Sequence, residues 1–502
     1  MLGIYVHTHW AYNRPYAART WSLADWEGFL AGLAFLGYDQ VLLWPLLDAM
    51  PARPTPSDIE YLQTVHQVID RAHDRFGMQV AVVVCANTMG NQQAADYAYH
   101  ARPYFRCERK INPRDSEEVQ QFLAAREQVF RPIANADTLA IIDSDPGGYV
   151  GSSNAEFVEL AQKQVDLFRR FNKHASFAYW MLYGWETYNK FWARIAACKD
   201  EESVLDHPSP ASELDVEVFV ETLTLLRDRI AEPWGVYVGF DEHFEVTERL
   251  GMTDKRAYFP YGLIESEPSF PLIEYSPAAI AAGVNRLPAS ARPGGLLGNA
   301  QTHCLQLPHL YLFAHYARGG TENKVAIGEF GDNLLPGHGA LLARAWQAVA
   351  GNDPQAQRSL AARVRGRMGG SHRLGPCSGL LFGDADRFLR DLADNLSVRA
   401  ALGELGSVLA HGQESRPALQ QFRACFADYQ RRTGFVDAYG GTLHRLLNEP
   451  LARLGDDRVN RVLRQCEDWR DPTARHQALI RLLDVLACYG DGFPRVSDHD
   501  RT

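Results

Sequence analysis

The sequence predicts an α/β fold: a (β/α)8 TIM barrel followed by an all-helical C-terminal domain. Apolar runs of strand length alternate with amphipathic helical runs, and eight such strands can be placed before about residue 305. This alternation is typical of parallel βα units. From residue 339 to 502 the apolar residues recur with the helical period alone. Because eight parallel strands are the number at which such a sheet closes, we expect a catalytic barrel over residues 1–338 and a helical domain over 339–502.

Each predicted strand is a short apolar run that ends in polar residues, glycine or proline. Helices are predicted where the apolar period lengthens to 3.6 residues, and Ser22 and Ser57 are expected to open the first two. The predicted strands are residues 3–9, 40–46, 78–85, 139–142, 175–183, 234–240, 256–264 and 295–300. The predicted barrel helices are 22–36, 57–76, 116–130, 155–171, 216–230 and 305–317, and those of the C-terminal domain are 340–350, 355–364, 384–409, 417–432, 441–454, 458–469 and 474–488.

The composition of the chain excludes several classes of function and partner. The 502-residue chain has a net charge of −10, and it has no basic stripe that would bind nucleic acid. No apolar run reaches the roughly 20 residues that span a bilayer, and the opening MLGIYVHTHW is interpreted as a first strand rather than a signal peptide. Eight cysteines are spread singly, which is typical of reduced thiols. We therefore expect a cytoplasmic protein without a nucleic-acid or membrane partner.

The stretch TLAIIDSDPGGY, residues 138–149, organises the predicted active site. Its apolar lead-in predicts a buried strand, and Asp143 and Asp145 follow two residues apart, on one side of an extended backbone. Pro146 stops the strand immediately afterwards. Two carboxylates at the C-terminal end of a barrel strand predict acid/base chemistry, with Asp145 as general acid and Asp143 tuning its pKa. The structural alternative is that Asp143 caps the turn and Asp145 caps the following helix.

Other polar residues also follow predicted strands, at the face where barrel enzymes place their sites. Paired carboxylates suit the cleavage of a glycosidic bond, which needs an acid and a second carboxylate. Spacing does not rank the four candidates for the second carboxylate, and the glutamates among them could instead pair with Lys255 or Arg256. Those candidates are Asp241, Glu242, Glu265 and Glu267. Predicted substrate-binding residues at the same strand ends are Asn87, Glu186, Asn299 and His303.

Aromatic residues near strand ends favour a sugar, whose apolar face stacks on flat rings. Of these, Trp44 and Trp185 are predicted to bind substrate. His7 and His9 have the HxH spacing that resembles the first strand of amidohydrolase-type barrels, which bind zinc there. The remaining ligands of that pattern do not recur, so no metal or other cofactor is expected, and His7 and His9 are predicted to contact a sugar hydroxyl or orient a carboxylate. A metal-dependent hydrolase remains the alternative.

The motifs IIDSDPGG, YFPYGLIESEPSFPL and GNAQTHCLQLP, with a helical C-terminal domain, resemble (β/α)8 glycoside hydrolases of the β-hexosaminidase and α-glucuronidase type, particularly uncharacterised bacterial members. The resemblance implies that Asp143 or Asp145 is the acid of the fourth strand and that the second carboxylate lies on the sixth or seventh. It implies a glycosidase of carbohydrate metabolism, exo-acting on a small oligosaccharide or glycoside. A non-catalytic carbohydrate-binding barrel is a second alternative, and the helical domain could form a homodimer face.

Overall fold

A computed structural model describes residues 1–144, 146–197, 210–265, 272–321, 324–411 and 416–434. Eight parallel strands close into a barrel in which the strands follow one another in chain order and the last pairs with the first. This closed barrel, surrounded by helices and followed by further helices, confirms the predicted fold class. The barrel strands are β1 (Leu2–His7), β2 (Gln40–Trp44), β3 (Gln79–Cys85), β6 (Thr138–Ile142), β7 (Ser176–Trp180), β8 (Trp234–Val238), β9 (Arg256–Tyr258) and β10 (Leu296–Ala300).

Several strands end earlier than the sequence predicts. The first was expected to reach His9 but ends at His7, and the seventh was expected to reach Ile264 but ends at Tyr258. Pro260 lies two residues after the seventh strand and has no N–H to donate to a neighbouring strand. Within these two extensions, the rings of His9, Phe259 and Tyr261 still lie against Tyr5 or Trp44 of the barrel interior.

The helices between the strands begin at capping residues. Ser22 accepts from the backbone of Asp25 in a reciprocal capping box, as expected. Thr55, not Ser57, caps the second helix, because Pro56 has no N–H and fits the first helical position. The helices that follow in the barrel are α1 (Leu23–Phe35), α2 (Pro56–Phe76), α3 (Tyr104–Cys107), α4 (Ser116–Phe130), α5 (Asn154–Arg169), α6 (Trp185–Ala197), α7 (Val216–Arg229), α8 (Asp241–Arg249), α9 (Pro277–Asn285) and α10 (Leu307–Ala317).

Between β3 and α4 the chain forms an excursion that the sequence did not predict. It contains an antiparallel hairpin of β4 (Thr88–Gly90) and β5 (Glu108–Lys110), together with helix α3. The buried Asn87 holds the base of this hairpin, since its Nδ2 donates to the carbonyl of Ile111 at 3.0 Å. The excursion therefore lies beside the C-terminal end of the third barrel strand.

The part of the chain described after the barrel is helical. Its helices are α11 (Lys324–Leu334), α12 (Gly339–Val349), α13 (Pro354–Arg365), α14 (Ala385–Ala410) and α15 (Arg416–Thr433). The predicted helices 441–454, 458–469 and 474–488 lie outside the described residues, and the domain boundary at 338 stays a prediction. Among the helices that are described, none is long and apolar enough to cross a membrane.

Candidate active site

Five aromatic rings converge at the C-terminal mouth of the barrel and form what we call the aromatic floor. Tyr5 and Trp44 come from β1 and β2, Trp180 comes from β7, and Phe259 and Tyr261 follow β9. The Trp180 ring centroid lies 5.5 Å from that of Tyr5, 5.9 Å from Trp44, 4.7 Å from Phe259 and 5.7 Å from Tyr261. Because inward-facing positions alternate along each strand, these rings meet on the barrel axis.

A cleft of about 340 Å³ opens over one side of the aromatic floor. Trp180, Phe259 and Tyr261 line it together with the half-buried Phe240, and Arg286 lies at its edge. Its volume falls in the range of small-molecule sites, about 300–1,000 Å³. The ends of the fifth, sixth and seventh barrel strands therefore form a concave surface, lined in part by aromatic side chains, at the face where barrel enzymes bind substrates.

The two histidines of β1 and its following loop lie on the other side of the floor. The imidazole of His9 lies 4.1 Å from that of His7 and 4.5 Å from the Trp44 ring, centroid to centroid. Burial is the main cause that lowers the pKa of both imidazoles well below the usual value, so both are neutral at pH 7. His9 is 5% exposed, and neither of its ring nitrogens has a hydrogen-bond partner among the described residues.

Asp143 is buried, and its carboxylate accepts hydrogen bonds from neighbouring residues of the barrel. Its carboxylate accepts from Tyr179 Oη at 2.7 Å, from Ser144 Oγ at 2.5 Å and from the backbone N–H groups of Leu182 and Gly184. Burial raises its pKa to about 6 in spite of these bonds. The carboxylate thus ties the end of the fourth barrel strand to the loop after the fifth. Nothing in this arrangement aims it at a substrate.

Asp145 lies outside the described residues, as does Glu267. The residues on either side of Asp145 are held in place. Ser144 Oγ accepts from the backbone N–H of Tyr183 at 3.1 Å, and the carbonyl of Pro146 accepts from Thr88 Oγ1 at 3.4 Å. Gly148 has a positive φ of 85°, a conformation that favours glycine. The residues that flank Asp145 are thus bound to the segments that follow the third and fifth barrel strands. The general-acid role of Asp145 stays a proposal.

Glu265 is another buried carboxyl group at the barrel mouth. It follows β9 and accepts from the backbone N–H of Thr302 at 2.6 Å, from Thr302 Oγ1 at 2.6 Å and from the backbone N–H of Gln301. Burial has the largest effect on the pKa of Glu265 and raises it to about 7. These contacts connect the ends of the seventh and eighth strands, which indicates a structural role and leaves the proton of Glu265 bound up to neutral pH.

Replacement of Glu265 by glutamine is expected to flatten the pH dependence of stability. Because the folded-state pKa is raised, the stabilisation is complete below the ordinary value near 4.5 and is lost as pH rises through about 7. The lost free energy of unfolding is about 3 kcal/mol, at 1.36 kcal/mol per pKa unit. Urea unfolding of wild type and Glu265→Gln at pH 5 and pH 8 measures the difference, and equal changes in both proteins would contradict the assignment.

The two acids predicted at the end of the sixth strand lie in the first turn of α8. Asp241 is 76% exposed and forms an ion pair with Arg286 at the edge of the cleft. Glu242 is half-buried in the same turn. Carboxylates at a helix N-terminus are stabilised by the helix dipole, so both have a structural explanation, and Asp241 is nearer to the cleft through its ion pair.

The structure places two other predicted binding residues away from the mouth. Trp185 is completely buried at the start of α6, where its Nε1 donates to Ser152 Oγ at 2.8 Å and its ring stacks on Phe157. Glu186 accepts from the backbone N–H of Asn154 at 3.0 Å, at the start of α5. Both side chains hold helices of the outer layer, and this geometry favours a structural role for each.

Three predicted polar residues stabilise loops at the mouth. Asn299 accepts from the Gly262 N–H at 2.6 Å and donates to the Glu265 carbonyl at 3.2 Å. Asn87 Nδ2 donates to the Gly148 carbonyl at 3.1 Å as well as to the hairpin. His303 is buried with Nε2 3.0 Å from the Tyr5 carbonyl, and burial lowers its pKa to about 4. We therefore assign these residues to the frame of the site.

Sequence reasoning missed several residues of the mouth. Tyr5, Phe259 and Tyr261 belong to the aromatic floor, and Gln301 accepts from Trp10 Nε1 at 2.5 Å. Tyr5 could have been found, because it shares the two-residue strand period of His7. Gln301 lies two residues after Asn299, so the same two-residue period relates its side chain to that of Asn299 at the end of the eighth strand. Tyr261 follows a strand that ends early, so no strand period indicated where its ring points.

The histidine and carboxylate side chains at the mouth do not form a cluster of metal ligands in the described parts of the chain. Within the described parts of the chain, no three or more His, Cys, Asp or Glu side chains lie close enough together to hold an ion. His7 and His9 are adjacent, but a zinc site needs at least three protein ligands. The described residues thus do not fit the metal-dependent alternative.

No protein-family model matches the sequence, and a search of curated proteins finds no match. Among solved structures, the chain is similar to a mutant of the Thermobaculum terrenum O-GlcNAc hydrolase, with a TM-score of 0.45 and 9% identity over 93% of this chain and 91% of that chain. It is also similar to PhdJ bound to a substrate intermediate, with a TM-score of 0.34 and 11% identity over 80% of this chain and 95% of that chain. Both TM-scores are below 0.5, so the fold assignment rests on the strand pairing of the chain itself.

Proposed function

We propose that the chain is a glycosidase that binds the terminal sugar of a small glycoside over the aromatic floor. The observation that supports this most is the aromatic cleft at the ends of the fifth, sixth and seventh strands. The C–H face of a pyranose is apolar and stacks on flat rings, whereas its hydroxyl groups need hydrogen-bond partners at the edge. The cleft volume suits one or two sugar units, which favours an exo-acting enzyme.

Two polar side chains at the mouth have unused hydrogen-bonding capacity that hydroxyl groups would satisfy. Neutral His9 offers one donor and one acceptor, and Gln301 Nε2 has no acceptor within the described part of the chain. A buried polar group without a partner is costly, so a ligand that supplies both donors and acceptors would be favoured there. A sugar hydroxyl does both.

In the proposed reaction, Asp145 protonates the glycosidic oxygen as the bond to the anomeric carbon breaks. The second carboxylate, from Glu267, Glu242 or Asp241, stabilises the positive charge that develops on the sugar ring or activates the attacking nucleophile. Asp143 and Glu265 hold the strand ends that frame these groups. The assignment of Asp145 and Glu267 comes from their positions in the sequence.

A panel of aryl glycosides that includes hexosaminides, glucuronides and galactosides tests this function. Wild type should release the aryl alcohol from at least one of them. Trp180→Phe should raise KM about two- to tenfold through weaker stacking, worth about 0.5–1.5 kcal/mol. Trp234→Phe is the matched control, since Trp234 opens β8 at the opposite end of the barrel. Sugar binding without turnover would indicate the non-catalytic alternative, and neither binding nor turnover would contradict a carbohydrate function.

A further inference from the structure

A buried polar network joins the loop after β1 to the C-terminal helices. This loop, residues 8–22, contains Tyr16, whose hydroxyl donates to Asp391 Oδ1 of α14 at 2.7 Å. Arg432 of α15 donates to the same Asp391 oxygen and, at 2.5 Å, to the Tyr16 hydroxyl oxygen. Tyr16 is 2% exposed and Asp391 is 1% exposed, so the charges interact in a low-dielectric environment where their attraction is strong.

The backbone of the same loop is also bound by α15. The Asn13 N–H donates to the Thr433 carbonyl at 3.0 Å, and Asn13 Nδ2 donates to the Arg432 carbonyl at 3.1 Å. Arg432 Nη2 donates to Asp394 at 2.8 Å. Two successive residues of α15 therefore contact the loop through both main chain and side chain.

The other end of this loop enters the barrel mouth. His9 lies against Trp44, and Trp10 stacks on His7 with ring centroids 5.4 Å apart while its Nε1 donates to Gln301. Residues 8–22 thus connect the helical region with one wall of the candidate site. A loop of this length is costly to order by itself, at about 1–2 kcal/mol per residue for the backbone.

We propose that Arg432 is a positioning residue, which holds the β1–α1 loop against α14 and α15 and thereby places His9 and Trp10 at the barrel mouth. The position of the loop is independent of the chemistry at the mouth, whereas its effect on substrate binding rests on the proposed function. Arg432→Gln is a mild test, because Asp391 keeps an ion pair with Arg387 at 2.5 Å when Arg432 is removed. The buried carboxylate is then not left without a cation.

Hydrogen–deuterium exchange of the full-length chain measures the effect on the loop directly. Peptides from residues 8–22 should exchange about tenfold faster in Arg432→Gln than in wild type. Tyr16→Phe removes one hydroxyl group of the same network and should give a smaller increase. This second variant replaces Arg432→Gln in the experiment if Arg432→Gln fails to fold. Arg431→Gln is the control, because Arg431 is 81% exposed and pairs with Asp428 within its own helix. Faster exchange confined to α14 and α15, with the loop unchanged, would overturn the proposal.

Kinetics then test whether the loop matters for binding. If a glycoside is turned over, Arg432→Gln should raise KM severalfold with kcat nearly unchanged, since the loop carries binding groups and not the acid. An equal fall in kcat would contradict a positioning role through His9 and Trp10. If no glycoside is turned over, the exchange result still decides whether Arg432 orders the loop.

Discussion

Replacement of Asp145 by asparagine is expected to lower kcat/KM by about 10²- to 10⁴-fold on a glycoside whose leaving group needs a proton. This is the usual contribution of a general acid. Asparagine has nearly the same shape but no acidic proton, and the flanking residues Ser144 and Pro146 keep their hydrogen bonds to Tyr183 and Thr88. Steady-state kinetics on purified protein, with circular dichroism to verify folding, provide the measurement.

Asp166→Asn is the matched control for this experiment. Asp166 is an exposed residue of α5, so the substitution makes the same chemical change without touching the barrel mouth. It should leave kcat/KM within about twofold of wild type, as expected for a surface substitution. Full activity of Asp145→Asn would show that the DSDPGG turn is structural and that another group supplies the proton.

Replacement of Asp143 by alanine should lower the free energy of unfolding by about 3 kcal/mol or more. The substitution leaves the Tyr179 hydroxyl and the N–H groups of Leu182 and Gly184 buried without their acceptor, and each unsatisfied donor costs about 1–3 kcal/mol. Denaturant unfolding at pH 7.5, where Asp143 is ionised above its pKa of about 6, measures this loss.

Asp143→Asn should be less destabilising than Asp143→Ala, since the amide oxygen of asparagine still accepts hydrogen bonds from some of these donors. A stable Asp143→Ala protein with strongly reduced kcat would contradict the structural role and would indicate that Asp143 is a catalytic residue. These two variants therefore separate an acid that holds the site together from one that takes part in the reaction.

Much of the barrel could be predicted from the sequence, because parallel strands buried on both faces have continuous apolar runs. The predicted run 139–142 is part of one such strand, Thr138–Ile142, in the structure. Strand ends were harder to predict. The two-residue period applies within a strand, and β6 ends at Ile142. The expectation that Asp143 and Asp145 share a side stays a prediction, since Asp145 lies outside the described residues.

The roles of individual site residues depended on contacts that the sequence does not show. Trp185 follows the fifth strand by a few residues, as expected for a binding residue, yet it begins a helix and faces the outer layer. Glu265 and Asn299 are distant in sequence, and their mutual hydrogen bond becomes visible in the closed barrel. The aromatic floor likewise joins residues from four strands, so its composition was predicted in part through Trp44.

The central claim is tested most directly by comparing two glycosides of one sugar, one with a dinitrophenyl leaving group and one with an alkyl leaving group. A dinitrophenolate departs without protonation, whereas an alkoxide needs the general acid. The proposed mechanism predicts that Asp145→Asn loses at least about 100-fold more kcat/KM on the alkyl glycoside than on the dinitrophenyl glycoside. Equal losses on both substrates would contradict general-acid catalysis by Asp145.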